Sequence, residues 1–342
     1  MPTALETLRR QYFALVPPYL LRVPAPAELS SADAQAFLVA HLLESALPAP
    51  DAGYQRTFWR RVLPVLEDGV AQDADDEAIY EAIAELMAAP ASAGSAPPAS
   101  HKTFIYDDSG GAEQAVTLLE EQVVVQAGTT GLRTWTAALF LAHYVLSGAV
   151  GVGSAAVELG AGTGFLAAVL AQRGCDVIAT DLGDNDDEEQ EGEEEEGQRR
   201  TPLRRLAANL ALNDLAAPAR AAALDWSDAA LAPADRPAIW AEALAPVDGQ
   251  RRTVVAADVV RAPGAIDVLI SPADGDGAPP PVAIIAATVR NEDTFALFLA
   301  ECAKRHLSTQ LLDLAPIDDA PTFWDTALDR GTRVQVVRIS KQ

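Results

Sequence analysis

The sequence predicts an α/β protein: a doubly wound sheet that ends in an antiparallel hairpin, preceded by a small helical N-terminal domain. Three observations carry that expectation. From Thr134 onward, short apolar runs alternate with helical patterns, as in strand–helix–strand units. The segment Val157-Glu158-Leu159 turns through Gly160, Gly162 and Gly164 into a helical pattern, and glycine-rich turns of this kind close strands at the carboxyl edge of such sheets. The last two strand-like runs have no clear helix between them, so they are expected to pair antiparallel.

Each element has its own signal. Leu5, Leu8, Tyr12, Phe13 and Val16 recur at helical spacing before Pro17-Pro18 stops the pattern. Ser30 to Asp33 is expected to cap a helix carrying Phe37, Leu38, His41 and Leu42. Thr57-Phe58-Trp59 opens another, and Glu77 to Met87 reads as a fourth. Residues 1–88 are thus read as a helical domain with a packing or docking role. Residues 89–101, rich in Ala, Pro and Ser, read as a linker, and 102–342 as the sheet domain. That domain opens with two strands, Lys102 to Tyr106 and Ala115 to Leu119, around an Asp-Asp-Ser-Gly-Gly turn. Helices are expected over Trp135–Leu146, Phe165–Arg173, Pro202–Asn213 and Thr294–Arg305. Strands are expected over Ala155–Leu159, Asp176–Thr180, Ala221–Leu224, Thr253–Ala257, Val282–Val289, Gln310–Leu314 and Arg333–Ile339. The acidic stretch 184–197 and the proline-rich Ser271 to Pro281 interrupt this alternation and read as surface insertions.

Composition narrows the classes of function. The chain has 342 residues and a formal net charge of −24. That balance opposes a nucleic-acid groove as the main surface, so no direct nucleic-acid partner is expected. Asp184 to Glu196 supplies ten of the acids, yet the remainder is still strongly acidic. Two cysteines, Cys175 and Cys302, provide neither a disulfide framework nor a zinc cluster, and the four histidines are scattered. No metal is therefore expected. No charged start followed by an apolar stretch is seen, and no apolar run reaches membrane length, so the expected compartment is the cytoplasm with no membrane partner.

The glycine spacing G-x-G-x-G, from Gly160 to Gly164, differs from the dinucleotide pattern G-x-G-x-x-G because Phe165 stands at the final glycine position. The acid before the loop, Glu158, also disfavours a pyrophosphate. In S-adenosylmethionine enzymes an acid at this place holds the loop or the methionyl ammonium. Asp181, at the end of the next strand, is suited to accept hydrogen bonds from ribose hydroxyls, a role common to both ligand classes. Asp225-Trp226 follows the third strand, where the indole suits adenine stacking and the carboxylate suits the adenine amine. Asp258 closes the fourth strand, at the place where a methyl group would be transferred. Methyl transfer from a sulfonium depends mainly on positioning the nucleophile, and a carboxylate orients an amine and eases the developing charge. A helix cap is the plainer role for Asp258, and both are compatible.

In order along the chain, Gly128-Thr129-Thr130-Gly131-Leu132-Arg133-Thr134-Trp135, the Glu158 to Gly164 loop, Leu224-Asp225-Trp226, Ala256 to Val260 and Thr288-Val289-Arg290-Asn291 together resemble the seven-β-strand protein-lysine methyltransferases, most of all the branch that methylates translation elongation factor 2. The resemblance implies a seven-stranded Rossmann-like methyltransferase sheet, S-adenosyl-L-methionine as cofactor and that factor as protein substrate. It implies that Trp135 lies against the cofactor, that Gly160, Ala161 and Gly162 line its methionine and ribose end, and that Asp181 holds the ribose. Trp226 would bound the adenine and Ala257 would touch the cofactor from the fourth strand. Asp258 would begin a D-x-x-Y motif beside the substrate lysine, with Thr288, Arg290 and Asn291 shaping the substrate side.

Two departures stand out. The D-x-x-Y motif ends in Arg261 instead of an aromatic residue, and a cation there opposes a substrate ammonium. Either Arg261 points away, or it docks an acid of the protein substrate, or activity is reduced. The acidic insertion follows the ribose-site Asp181 directly. Competing readings are a cofactor-binding protein with reduced or lost transfer, a methyltransferase for another protein, a small-molecule methyltransferase and, weakest, an NAD-dependent oxidoreductase.

Overall fold

The computed structural model describes residues 2–69, 77–88, 99–121, 133–183, 202–259, 261–271, 281–317, 321–324, 331 and 333–341. Gly128 to Leu132, the acidic insertion, most of the 89–101 linker and nearly all of the proline-rich stretch lie outside them. The chain divides into two compact units, residues 1–123 with 317–328 and residues 124–316 with 329–342.

The first unit contains helices α1 (Ala4–Phe13), α2 (Pro26–Leu29), α3 (Ala32–Leu38), α4 (Ala52–Gly69) and α5 (Glu77–Ala88), and the hairpin β1 (Ser100–Asp107) with β2 (Glu113–Glu120). Thr3 caps α1 by accepting from the Glu6 amide at 3.1 Å. Leu8, Tyr12 and Phe13 are buried, and the Tyr12 and Phe58 rings meet edge to face at 4.6 Å. Helix α4 begins five residues before Thr57. The Asp51 carboxylate accepts from the amides of Gly53 and Tyr54 at 2.8 and 3.0 Å, a side-chain cap that sets the start. The hairpin pairs antiparallel, Phe104 opposite Val116, and Asp108 fixes its turn by accepting from the amides of Gly110 and Ala112 at 2.8 Å each. Ion pairs bind it to α1: Arg9 to Glu113 and Arg10 to Asp107 at 2.8 and 2.7 Å. The hairpin therefore goes with the helices, whereas the sequence alone groups residue 102 onward with the sheet.

The second unit holds α6 (Thr136–Leu146), β3 (Ala155–Leu159), α7 (Phe165–Gln172), β4 (Asp176–Asp181), α8 (Pro202–Ala211), β5 (Ala219–Ala223), α9 (Ala238–Leu244), β6 (Thr253–Ala257), α10 (Pro263–Leu269), β7 (Ala283–Val289), α11 (Glu292–Lys304), β8 (Leu307–Leu311) and β9 (Arg333–Lys341). The strands form one seven-stranded sheet in the order β5-β4-β3-β6-β7-β9-β8. β3 to β7 run parallel, and β9 is antiparallel to both β7 and β8. The expected C-terminal antiparallel pair is thus present. Every residue of β3 is buried, as expected of a parallel strand covered on both faces. The outer strands β5 and β8 are the more exposed ones.

Two local expectations shift, and two helices are added. β8 starts at Leu307, three residues early, because His306 takes a left-handed conformation at φ +57° just after α11. That turn ends the helix and sends the chain straight into the strand. β5 likewise starts at Ala219. Helices α9 and α10 fall in stretches that carry no expectation from the sequence; Pro237 stands at the N-cap of α9 and Pro263 in the first turn of α10. Proline is tolerated at a helix start, where its missing N–H has no intrahelical partner to lose. Among the described residues no helix is long and apolar enough to cross a membrane.

Candidate functional site

Five strand ends meet at the carboxyl edge of the sheet. The order β4-β3-β6 places the switch point between β3 and β6, because the chain steps to β4 and β5 on one side and to β6 and β7 on the other. A crevice opens at such a point. The glycine loop leaves β3 there, Asp181 ends β4, and Trp226, Asp258 and Arg290 follow the ends of β5, β6 and β7.

The loop is held from several sides. Gly160, Gly162 and Gly164 all have positive φ, at 64°, 53° and 85°, which glycine adopts without steric cost. The Ala161 amide donates to the Thr180 carbonyl at 2.8 Å. The Gly162 amide donates to Asp181 Oδ2 at 2.8 Å. Thr163 Oγ1 shares a 2.8 Å hydrogen bond with Thr134 Oγ1, and the Thr163 carbonyl accepts from Asn209 Nδ2 at 2.9 Å. Asn209 is fully buried on α8. The sequence alone does not single it out, since no local pattern distinguishes it from a surface helix asparagine.

The glycines have different reasons. A Cβ on Gly160 would stand 2.9 Å from Val259 Cγ2 and 3.4 Å from Trp226 Cζ2. Gly160 therefore lets the loop approach the two walls given by β5 and β6. A Cβ on Gly164 would stand 2.7 Å from Leu206 Cδ1, so that glycine lets α8 pack against the start of α7. Its requirement is helix packing, although it belongs to the same motif.

Two carboxyl groups lie under the loop. Glu158 is 2 % exposed, and its Oε2 has no hydrogen-bond partner among the described residues. Burial pushes its carboxyl up to about 8; the Ala167 amide opposes the rise and the nearby Asp181 charge adds to it. Asp181 is also raised by burial, against hydrogen bonds from the amides of Gly162 and Leu182, the latter to Oδ1 at 2.8 Å. Each Asp181 oxygen accepts one amide and retains a lone pair for a further donor. An unpartnered buried carboxylate oxygen, a second acid with acceptor capacity, an indole beside a glycine and backbone free of side chains fit a nucleoside with a cationic tail. The residues present therefore fit S-adenosylmethionine.

Asp225 caps the short turn Trp226–Ala230, accepting from the Ser227 amide at 2.8 Å, and this bond holds its carboxyl below the usual range. Trp226 packs against the sheet core and beside Gly160. Ala257, half-buried, ends β6.

A second cluster adjoins the first. Asp258 has a positive φ of 57°, a conformation unfavourable for most non-glycine residues and concentrated at functional sites. Its Oδ1 accepts from the Thr288 amide at 2.6 Å. Its Oδ2 accepts from Thr288 Oγ1 at 3.0 Å and from Arg290 Nη2 at 3.3 Å. The Arg290 guanidinium lies 4.9 Å from the centroid of the Trp135 ring. Trp135, Asp258, Thr288 and Arg290 are thereby brought together from three distant stretches of sequence. Two residue pairs adjacent in sequence, Thr134-Trp135 and Asp258-Val259, join this cluster to the glycine loop. Asn291 serves the helix that follows: it is the N-cap of α11, its Oδ1 accepting from the amides of Asp293 and Thr294 at 2.8 and 3.3 Å. Arg261 is exposed and makes no ion pair among the described residues. The guanidinium on Asp258 comes from Arg290.

No protein-family model matches the chain. Among curated proteins it is 32 % identical over 280 residues to the protein-lysine N-methyltransferase EFM3 of Chaetomium thermophilum, covering 76 % of this chain and 75 % of that one. It is 29 % identical over 263 residues to the human protein-lysine N-methyltransferase EEF2KMT, covering 75 % and 71 %.

Proposed function

The chain belongs to the seven-β-strand protein-lysine methyltransferase family and is an S-adenosylmethionine-dependent protein-lysine N-methyltransferase; from that premise we propose that its substrate is a lysine of translation elongation factor 2. The T-T-G-L-x-T-W and T-x-R-N elements support this reading, as does the similarity to proteins named EFM3 and EEF2KMT. The observation that carries it is the cluster of Trp135, Asp258, Thr288 and Arg290 beside the glycine loop. It joins an aromatic face and a carboxylate, the two groups that attract an alkylammonium.

When bound, S-adenosylmethionine supplies a methyl carbon on a sulfonium, an electrophile that needs no further activation. In this reading Gly160, Ala161 and Gly162 receive its methionine and ribose end, Glu158 lies buried beneath the loop, and Asp181 accepts from the ribose. Trp226 and Asp225 bound the adenine, and Ala257 and Trp135 close the remaining walls. Asp258 orients the lysine nitrogen, with Thr288 fixing both carboxylate oxygens. Most of the acceleration then comes from alignment of nucleophile and methyl carbon. Thr288 and Arg290 border the protein side, and Asn291 orders the same segment through its cap. The cytoplasm is the compartment in which this reading places the reaction.

The test is transfer of labelled methyl groups from S-adenosylmethionine to purified elongation factor 2. Incorporation into one lysine is expected. The reading falls if the factor stays unlabelled while a related enzyme labels it under the same conditions.

A further inference from the structure

The glycine loop is held along its own main chain. The Ala161 amide donates to the Thr180 carbonyl, the Gly162 amide donates to Asp181, and the Thr163 carbonyl accepts from Asn209. The Thr163 side chain points elsewhere. Its Oγ1 meets Thr134 Oγ1 at 2.8 Å, across 29 residues of sequence. Thr163 is 2 % exposed, so water does not readily replace a lost partner there. Thr134 precedes Trp135, the N-cap of α6. The Trp135 ring in turn meets the Arg290 guanidinium, which donates to Asp258 Oδ2. A continuous path thus runs from Asp181 through Gly162, Thr163 and Thr134 to Trp135, and on to Asp258. One end is the acid read as the ribose holder, and the other is the acid read as orienting the lysine. The hydroxyl pair is the step that leaves the loop for the substrate side.

We infer that Thr163 is a positioning residue whose hydroxyl couples the two sites: a cofactor that holds the glycine loop also holds Thr134 and Trp135 in place for the incoming lysine. This role rests on the cofactor and lysine placements proposed above, and it goes to a side chain that need touch neither ligand. Gly162 and Gly164 flank Thr163 at positive φ. The same backbone geometry puts the Gly162 amide on Asp181 and Thr163 Oγ1 on Thr134. A ligand that binds Asp181 and the loop favours that geometry over any other the loop visits. By reciprocity, a ligand on the Trp135–Asp258 side tightens cofactor binding by the same factor. The lysine side is therefore best formed when the methyl donor is in place.

The experiment titrates S-adenosylhomocysteine, the demethylated cofactor, into the full chain. Wild type, Thr163→Val, Thr134→Val, the double variant and Thr163→Ser are compared by calorimetry after thermal unfolding has verified each fold. Each valine should weaken binding by about 5-fold, the size of one hydrogen bond. The double variant should be within about twofold of either single one, because both remove the same bond. Thr163→Ser, which keeps the hydroxyl, should return affinity toward wild type. Amide hydrogen exchange then reads the coupling directly. Saturating S-adenosylhomocysteine should slow exchange at residues 133–137 by at least about 5-fold in wild type and Thr163→Ser, and by less than about twofold in Thr163→Val. Wild-type affinity in Thr134→Val overturns the inference. So do additive losses in the double variant, or equal slowing at 133–137 in Thr163→Val. Unfolding of both single valine variants overturns it as well, making the pair a structural brace. Asp181→Ala tests the cofactor placement separately: unaffected binding there removes the ribose role and the coupling together. None of these arms requires a protein substrate. The expected results with elongation factor 2 unlabelled leave the coupling standing and remove the substrate reading; labelled factor with equal slowing does the reverse.

Discussion

Glu158 and Asp258 are both carboxylates at strand ends, yet their surroundings give them opposite characters. Asp258 is surrounded by donors and a guanidinium, whereas Glu158 is buried with one oxygen unpartnered. With a carboxyl at about 8 in the fold against an ordinary 4.5, Glu158 binds its proton more tightly when folded. Its contribution to stability is therefore complete below about pH 4.5 and is lost as pH rises through about 8. At about 1.4 kcal/mol per unit, the loss is on the order of a few kcal/mol. Glu158→Gln should therefore unfold at a higher temperature than wild type at pH 8 and at a similar temperature at pH 4, when both are measured by thermal scans without added cofactor. The same substitution should weaken S-adenosylmethionine binding, measured by calorimetry above about pH 8, where the carboxyl ionises and places a negative charge beneath a cationic ligand. Arg261 belongs to this scale too. It is exposed and makes no ion pair with Asp258, so Arg261→Tyr should change kcat by less than about threefold, while Asp258→Asn should cost about 100-fold or more in kcat. A larger gain from the tyrosine would mean that the arginine had suppressed transfer.

The element scale separates residues that share a motif. Gly160 and Gly164 stand four residues apart in one loop, but one clears the path to Trp226 and the other admits Leu206. Gly164→Ala should lower stability by roughly 2–3 kcal/mol in urea unfolding, through strain at positive φ and overpacking against α8. Gly160→Ala should instead act first on cofactor affinity. Asn291 gives a parallel case at the start of α11. Asn291→Ala should cost about 1 kcal/mol of stability, and Asn291→Asp, which also caps a helix, should restore stability and kcat/KM together. A variant that restores stability alone would give the amide a direct substrate contact. Much of this is legible in the sequence: alternate glycines after a strand mark a loop at the carboxyl edge, and Asp181 at the next strand end marks its neighbour. The reason for each glycine is not legible, because it lies in which side chain of a remote helix arrives opposite. The same holds for Asn209, whose bond to the Thr163 carbonyl spans 46 residues. Helices α9 and α10, of seven residues each, fall in stretches for which the sequence raised no expectation, each with a proline at its start.

At the scale of the whole molecule, the chain passes out of the sheet unit and back again. Residues 317–328 belong with the first 123, and Phe323 packs against Phe104 and Tyr106 of the hairpin at 6.1 and 5.3 Å between ring centroids. The hairpin is tied to α1 by Arg9 and Arg10. A chain beginning at residue 102 would keep the hairpin but lose those partners. It should be cut by protease within 102–121 faster than the full chain by at least about tenfold, since local opening controls such cleavage. Equal rates would show that the hairpin stands without α1, as the boundary read from sequence supposes.

By itself the sequence determined the alternation of strands and helices, the antiparallel close of the sheet, the glycine loop and the acids at the strand ends. These are local properties, set by periodicity, backbone freedom and the spacing of residues along one stretch of chain. Tertiary structure alone decided which strand ends face one another, that the hairpin belongs with the helices, and that Asp258 shares its charge with Arg290 over the Trp135 ring. Those outcomes depend on distances between residues far apart in sequence. Such distances are fixed by sheet order and packing, and no local pattern records them.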